Sequence, residues 1–467
     1  MLLKKKYQLK SVEPSVFRAY DIRGIIHEQL DEDAFYSLGK AISHRLHAVN
    51  RQAIFLARDG RLSSEALAHA LKQGLLDSGL HVFDLGAVAT PVMYFATHTH
   101  PEVDSGLMVT GSHNPAEYNG IKMVIAGRTL ANADIQQLYE LNQSQATVHG
   151  VGVCESMDVM PAYMNRIVGD VVLARPLKVV VDCGNGIAGP VIPQVLEQLG
   201  CDVIRLYCDV DGRFPNHHPD PTIADNLVDL QQAVAAHQAD LGLAFDGDAD
   251  RLGVVTNQGE IIWPDRLMML YAREVLAHNP GATIVYDVKC SMHLAEVITQ
   301  AGGIAKMCPT GHSIVKDVMK QAQAALAGEM SGHLFFKDRW YGFDDALYSA
   351  CRLLEILSRS QACVSEQFAQ VPDSINTPEI KIPIADAEKF YFMQRFAEQA
   401  QFPQARLIAI DGLRVEFMHG WGLIRASNTT PCLVARFEAT SQSNLDEIKA
   451  LFKRQLHATD QSLSIPF

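Results

Sequence analysis

The chain has 467 residues, 48% of them hydrophobic, and a formal net charge of −13 at pH 7. That length predicts three or four domains with a core in each. The acidic balance argues against a nucleic-acid or anionic-membrane surface, though it leaves room for a local cationic pocket.

The basic segment Met1 to Lys10 lacks the apolar core of a secretory signal, and no window reaches the ~18 uninterrupted apolar residues of a membrane span. The nine cysteines are scattered without a C-x-x-C pair, which predicts reduced thiols in a cytoplasmic protein rather than a disulfide framework or a zinc site. Phe17 to Gly24 then gathers charge, aromatic and Gly residues ahead of any predicted regular element, and Arg23 carries a planar fork suited to phosphate or carboxylate.

A unit that recurs follows. Ala53 to Ala57 reads as a strand, Arg58 to Arg61 as its loop, Leu62 to Ser78 as an amphipathic helix, and His81 to Leu85 as a second strand after Gly79. The order returns at Lys178 to Val181, Asp182 to Gly186, Ile187 to Leu199 and Val203 to Tyr207, and again at Thr283 to Tyr286, Asp287 to Ser291, Met292 to Gln300 and Ile304 to Met307. Strand, loop, helix, Gly and strand is a βαβ unit, which implies a largely parallel sheet. Downstream of each unit a second helical stretch leads to an apolar strand, a polar loop and a further strand. The three loops are Thr110 to Asn114, Asp246 to Arg251 and Gly328 to His333. The C-terminal part differs: Pro378 to Pro383, Leu407 to Ile410, Arg414 to Met418, Trp421 to Arg425 and Cys432 to Ala439 read as strands and Asn444 to Gln455 as a closing helix. The expectation is three similar α/β domains with mixed sheets, at residues 1–157, 158–260 and 261–372, and an α+β domain at 373–467.

Each loop offers a different polar set. Ser112 in Thr110-Gly111-Ser112-His113-Asn114-Pro115 sits at a tight bend with His113, Asn114 and Lys122 close in sequence. A serine hydroxyl is a weak nucleophile that needs such neighbours, so the loop suggests group transfer. In Asp246-Gly247-Asp248-Ala249-Asp250-Arg251 three carboxylates at alternate positions can converge on a hard cation. An EF-hand fails, because its sixth position needs Gly and holds Arg251, and its twelfth needs Glu and holds Asn257; Mg²⁺ fits better. Gly328-Glu329-Met330-Ser331-Gly332-His333 supplies a carboxylate, a hydroxyl and an imidazole able to bond sugar hydroxyls or move protons. Arg425-Ala426-Ser427-Asn428-Thr429-Thr430 joins an arginine to hydroxyls and backbone N–H groups, as a phosphate oxyanion needs. Lys289 and His312 lie at the carboxyl ends of predicted strands, where open α/β sheets place ligands.

One motif is a decoy. Gly184-Asn185-Gly186-Ile187-Ala188-Gly189 matches G-x-G-x-x-G, with Asp209 lying 20 residues past Gly189. The same strand–loop–helix recurs at Ala53 and Thr283 without those glycines, so close packing is the expected role and NAD binding is not.

With the four loops in order, the chain resembles the α-D-phosphohexomutase superfamily, in particular its bacterial phosphomannomutase/phosphoglucomutase group. The resemblance covers essentially the whole chain. It implies four domains around a central cleft and a hinging fourth domain. It implies an enzyme that interconverts hexose 1-phosphate and hexose 6-phosphate, mannose and/or glucose, through a phosphoserine at Ser112 and a hexose 1,6-bisphosphate. Asp246, Asp248 and Asp250 with Ser112 would hold Mg²⁺. Lys122, Arg23, Arg251, His113 and His333 would serve proton transfer and charge. Tyr20, Lys289 and His312 would line the cleft, Glu329, Ser331 and His333 would read the sugar, and Arg425, Ser427, Asn428 and Thr429 would clamp the other phosphate. A phosphosugar substrate, glucose 1,6-bisphosphate as activator, no nucleic acid or membrane, and a monomer or weak homodimer go with it. A phosphoglucosamine mutase or a non-catalytic phosphosugar-binding protein are the alternatives.

Overall fold

The protein is described here by a computed structural model, covering residues 6–428 and 430–467. The chain divides into two compact units, Met1–Pro264 with Ser331–Ala369, and Asp265–Met330 with Gln370–Phe467.

The first unit holds two mixed sheets. One runs in the order Ile22–Ile25, Tyr118–Ile125, Gly106–Val109, Ala53–Arg58, His81–Ala87, Val153–Ser156. Its last four strands are mutually parallel, as βαβ connection requires, while the Gly106–Val109 to Tyr118–Ile125 pair is antiparallel. The Ser112 loop is therefore the connection of an antiparallel hairpin set on a parallel sheet. The second sheet repeats the device: Lys178–Asp182 is parallel to Asp202–Leu206 and to Leu241–Phe245, and Leu241–Phe245 turns back antiparallel into Leu252–Thr256. Asp246 to Arg251 form that turn. The strands feeding both loops are buried along their whole length at Gly106–Val109 and Leu241–Phe245, so their apolar residues anchor polar tips.

The second unit carries the parallel strands Ile304–Cys308, Thr283–Asp287 and Leu326–Gly328, and an antiparallel sheet in the order Ile375–Asn376, Cys432–Ala439, Gly420–Ala426, Leu413–Phe417, Arg406–Ile408. Helices Lys389–Gln399 and Gln442–Thr459 cover that sheet with Phe392, Phe396, Phe452 and Leu456 in its core. Two buried arginines reach from it to the Lys289 loop. Arg414 lies 3.8 Å from the centre of the Trp421 ring and donates to the carbonyls of Val288 and Cys290 at 2.7 Å each. Arg436 donates to the Lys289 carbonyl and, at 3.2 Å, to Asp265. No helix among the described residues is long and apolar enough to cross a membrane.

Three differences from the sequence reading have clear causes. Phe17 to Gly24, placed ahead of any predicted regular element, runs into one: Ile22–Ile25 is an edge strand paired with Tyr118–Ile125, held by buried Ile22, and too short to announce itself by alternation. The helix expected from Ile187 starts only at Ile192, because the glycine-rich segment before it packs against backbone. The helix Lys389–Gln399 was missed, since its apolar face shows only against the sheet it covers.

The decoy glycines pack closely. Gly186 lies so near Gly247 that a Cβ would stand 3.0 Å from its Cα, and a Cβ on Gly189 would strike the Cys208 carbonyl. The variant Gly189→Ala is therefore expected to lose about 1–3 kcal/mol, read as a lowered thermal unfolding midpoint; an unchanged midpoint would contradict this account.

Candidate active site

In the first unit the hairpin register sets the chemistry. Met108 pairs with Lys122, which places the Lys122 side chain beside the turn that carries the three aspartates. Its Nζ donates to Asp248 Oδ2 at 2.7 Å and also to Asp250 Oδ2. Asp246, Asp248 and Asp250 are fully buried and can each point one carboxylate oxygen to within 4.8 Å of the others. Asp248 Oδ1 is buried without a hydrogen-bond partner, and Asp250 Oδ1 has only His333 Nε2 near it, at 3.3 Å. Oxygen-only donors with unsatisfied lone pairs, held in a tight turn, fit a hard divalent cation. Ala249 at φ +64° supplies the sharp bend that brings alternate aspartates to one side.

Charge in this turn is uneven. Burial, then the charges of Asp250 and Asp248, push the Asp246 carboxyl well above its usual range. Asp250 lies well below it: burial works the other way, but the Lys122 ammonium and His333 prevail. Lys122 is likewise held above its ordinary value by Asp248 and Asp250 despite its burial.

Ser112 sits at φ +50° and is 2% exposed. A serine adopts that left-handed backbone only where its surroundings insist. Arg61 does so, donating to the carbonyls of Ser112 at 2.7 Å, Asn114 at 2.5 Å, Pro115 at 2.5 Å and Tyr118 at 3.0 Å. Asp59 accepts from Thr110 Oγ1 at 2.8 Å and from the Gly111 N–H at 3.3 Å, fixing the other side of the loop. The Ser112 Oγ lies 3.1 Å from His113 Nδ1 and donates to Asp246 Oδ2 at 3.3 Å. Burial, then the positive charges of Arg251 and Arg23, hold the His113 imidazole well below its ordinary value, so it is neutral.

Arg23 bonds Asn114 Oδ1 and Asp21 Oδ2 at 2.5 Å each. Arg251 Nε donates to His333 Nε2 at 3.3 Å, and His333 Nε2 stands 3.3 Å from Asp250 Oδ1. Ser331 Oγ meets His333 Nδ1 at 2.9 Å. Tyr20 is half-buried and acts electrostatically on Arg251. Ser112, His113, Lys122, Arg23, Arg251, His333, Ser331, Tyr20 and the three aspartates thus belong to one unit.

The remaining residues lie in the second unit. Lys289 Nζ donates to Glu379 Oε1 at 2.7 Å. His312 is buried at the first position of helix His312–Ala322, just after Gly311, whose N–H donates to Glu329 Oε1 at 2.6 Å. Asp411 accepts from the Thr310 N–H and from Arg425 Nε, both at 3.0 Å, and so ties the loop before His312 to the Arg425 strand. Ser427 Oγ lies 2.8 Å from Thr430 Oγ1, and Asn428 is half-buried beside it; Thr429 falls outside the described residues.

Sequence reasoning missed the residues that hold these groups: Arg61 and Asp59 under the serine loop, Thr90, whose hydroxyl donates to Asp248 Oδ2 at 2.6 Å, and Asp411 and Glu379 in the second unit. Arg58-Asp59-Gly60-Arg61 reads in the sequence only as the loop of a βαβ unit; its three charged residues after a strand are the available signal. The ammonium of Lys122 is the nearest compensation for the aspartates. Lys122→Met is expected to cost about 3–5 kcal/mol by leaving buried carboxylates unpaired, with part of the loss recovered by millimolar Mg²⁺. Thermal unfolding with and without the cation checks this, and a variant as stable as the parent without it would refute it.

Four family models match in order. They are the phosphoglucomutase/phosphomannomutase alpha/beta/alpha domains I, II and III, over residues 14–148, 161–259 and 263–375, and the C-terminal domain over 379–455. The chain is 52% identical over 453 residues to a phosphomannomutase/phosphoglucomutase of Pseudomonas aeruginosa, covering 97% of this chain and 98% of that one. It is 48% identical to a phosphoglucomutase of Neisseria gonorrhoeae over 449 residues, covering 95% and 97%. A crystal structure of a phosphoglucomutase/phosphomannomutase family protein from Burkholderia thailandensis superposes with a TM-score of 0.93 at 48% identity, covering 98% of this chain and 100% of that one. A buried serine beside an acidic turn able to hold a cation, on a chain matched almost end to end, leaves one conclusion: this protein belongs to the phosphoglucomutase/phosphomannomutase family of the α-D-phosphohexomutase superfamily, enzymes that isomerise by phosphoryl transfer.

Proposed function

We propose that the enzyme interconverts the 1- and 6-phosphates of mannose and/or glucose, with Ser112 as a phosphoserine and a hexose 1,6-bisphosphate as intermediate. The observation that carries this reading is the Ser112 hydroxyl, strained and buried, 3.3 Å from Asp246 and 3.1 Å from a neutral His113. Asp246, Asp248 and Asp250 would hold Mg²⁺ with an oxygen on Ser112. Bound there, the ion would neutralise charge on the transferring group.

The protein's own residues do the rest. Phosphoryl transfer needs in-line placement and stabilisation of spreading charge more than covalent help. The free hydroxyl of the substrate attacks the phosphorus on Ser112; the new P–O bond forms as the bond to Ser112 Oγ breaks, and the hydroxyl proton leaves to a base. In the second step Ser112 attacks the other phosphate of the bisphosphate and gives up its proton, for which His113 is the adjacent acceptor. Lys122, Arg23 and Arg251 supply positive charge, and His333, polarised by Arg251 and Asp250, is the second candidate for proton transfer. Glu329 and Ser331 would read sugar hydroxyls, with Tyr20, Lys289 and His312 alongside. Arg425, Ser427, Asn428 and Thr429 would hold the phosphate that is not reacting.

With this goes a four-domain division near residues 157, 260 and 372, activation by glucose 1,6-bisphosphate and a cytoplasmic location. Intact mass and a coupled assay test the reading. Wild type is expected to contain a species about 80 Da heavier and to turn over mannose 1-phosphate or glucose 1-phosphate ahead of glucosamine 1-phosphate. Ser112→Ala is expected to lack both the added mass and nearly all turnover. Full activity in that variant would move the nucleophile elsewhere.

A further inference from the structure

Cys183 and Cys208 lie outside the phosphoryl-transfer residues, and their sulfurs stand 3.6 Å apart. Both segments are fixed on either side of the pair. The Cys183 N–H donates to the Leu206 carbonyl at 3.2 Å, the Asn185 N–H to the Tyr207 carbonyl at 2.8 Å, and Asn185 Nδ2 to the Asp209 carbonyl at 2.8 Å. The two backbone segments that carry the thiols are thus fixed side by side. Cys183 is buried and Cys208 half-buried, so Cys208 is the less enclosed of the two.

We infer that Cys183 and Cys208 form a reversible disulfide under peroxide, and that closing it disturbs the acidic loop and slows the enzyme. The chemistry balances. The Cys208 thiol gives up its proton and the thiolate attacks a peroxide oxygen; the O–O bond breaks, and the departing hydroxide takes up that proton to leave as water, giving a sulfenic acid. The Cys183 sulfur then attacks Cys208 Sγ; the S–S bond forms, the S–O bond breaks, and hydroxide takes the Cys183 proton to leave as a second water. Two thiols and one peroxide yield one disulfide and two waters. Burial sets the order of attack, since Cys208 is half-buried and Cys183 buried.

The coupling to the site is steric. A disulfide holds its sulfurs ~2.05 Å apart, so the pair must close by about 1.5 Å. Cys208 has little freedom, because Gly189 packs directly under its carbonyl. The movement therefore falls on the segment Cys183 to Ile187. There Gly186 abuts Gly247, and the Ile187 N–H donates to the Gly247 carbonyl at 3.1 Å. Gly247 in turn lies against the Ser112 carbonyl, with no room for a Cβ between them. Three loops stacked through glycines pass a shift of the first to the aspartates and to Ser112.

The effect on rate rests on the proposed function; the disulfide itself does not. Full-length enzyme is treated with hydrogen peroxide, its remaining thiols are alkylated, and its peptides are mapped. A linked Cys183–Cys208 peptide, about 2 Da lighter than the two reduced peptides together, is expected. Mutase activity is expected to fall about tenfold and to return with dithiothreitol. Cys208→Ser is expected to match wild type before treatment and to resist peroxide, and Cys154→Ser, at the exposed cysteine, to respond like wild type. Oxidation confined to other cysteines would overturn the inference. So would a linked peptide with unchanged activity, or equal inactivation of Cys208→Ser. A protein inactive before any treatment would sink the functional reading, and failure of the linked peptide to appear in it would still refute the disulfide.

Discussion

The pairing of one buried ammonium with the acidic turn is the interaction on which the first unit's site depends. Like charges in a buried loop repel, and each buried carboxylate forfeits its hydration. Lys122 answers two of the three charges directly and leaves Asp246 with a raised affinity for a proton. Asp248 Oδ1 nevertheless stays without a hydrogen bond, and Asp250 Oδ1 meets only His333. The turn is therefore balanced for a further positive charge rather than for itself, which is the electrostatic state a cation site requires.

Backbone conformation is the second constraint. Ser112 and Ala249 both occupy the left-handed region without being glycine, each at a cost of order 1 kcal/mol or more. Arg61, with four carbonyls on its fork, and Asp59, with the opposite face of the loop, hold the serine in place. Such a brace suits a group that must meet its reaction partner in line, since a displacement of about 1 Å can cost a hundredfold in rate.

In the second unit buried arginines do comparable work. Arg414, stacked on Trp421, and Arg436, paired with Asp265, each donate to backbone carbonyls of the loop that presents Lys289. Arginine suits this role because its fork satisfies several acceptors at once and its charge persists when buried. Asp411 plays the matching part for Arg425 and the loop before His312.

Much of this was legible from residues alone. The thrice-repeated βαβ order, the acidic turn and the serine loop followed from spacing, because period, Gly placement and alternate carboxylates are local properties of the chain. The C-terminal strand Cys432–Ala439 and the helix Met292–Gln300 fall where the pattern places them. What sequence could not supply was partnership. Nothing near Arg61 in the chain marks it as the support of a loop some 50 residues on, nothing local pairs Lys122 with Asp248 and Asp250, and no motif sets Cys183 against Cys208. The glycines that imitate a dinucleotide motif took their meaning from the backbone of Gly247 and Cys208 lying against them. The sequence determined which chemical groups the loops carry; tertiary structure decided which of them meet, because hydrogen bonds and charge pairs depend on distance in space and not along the chain.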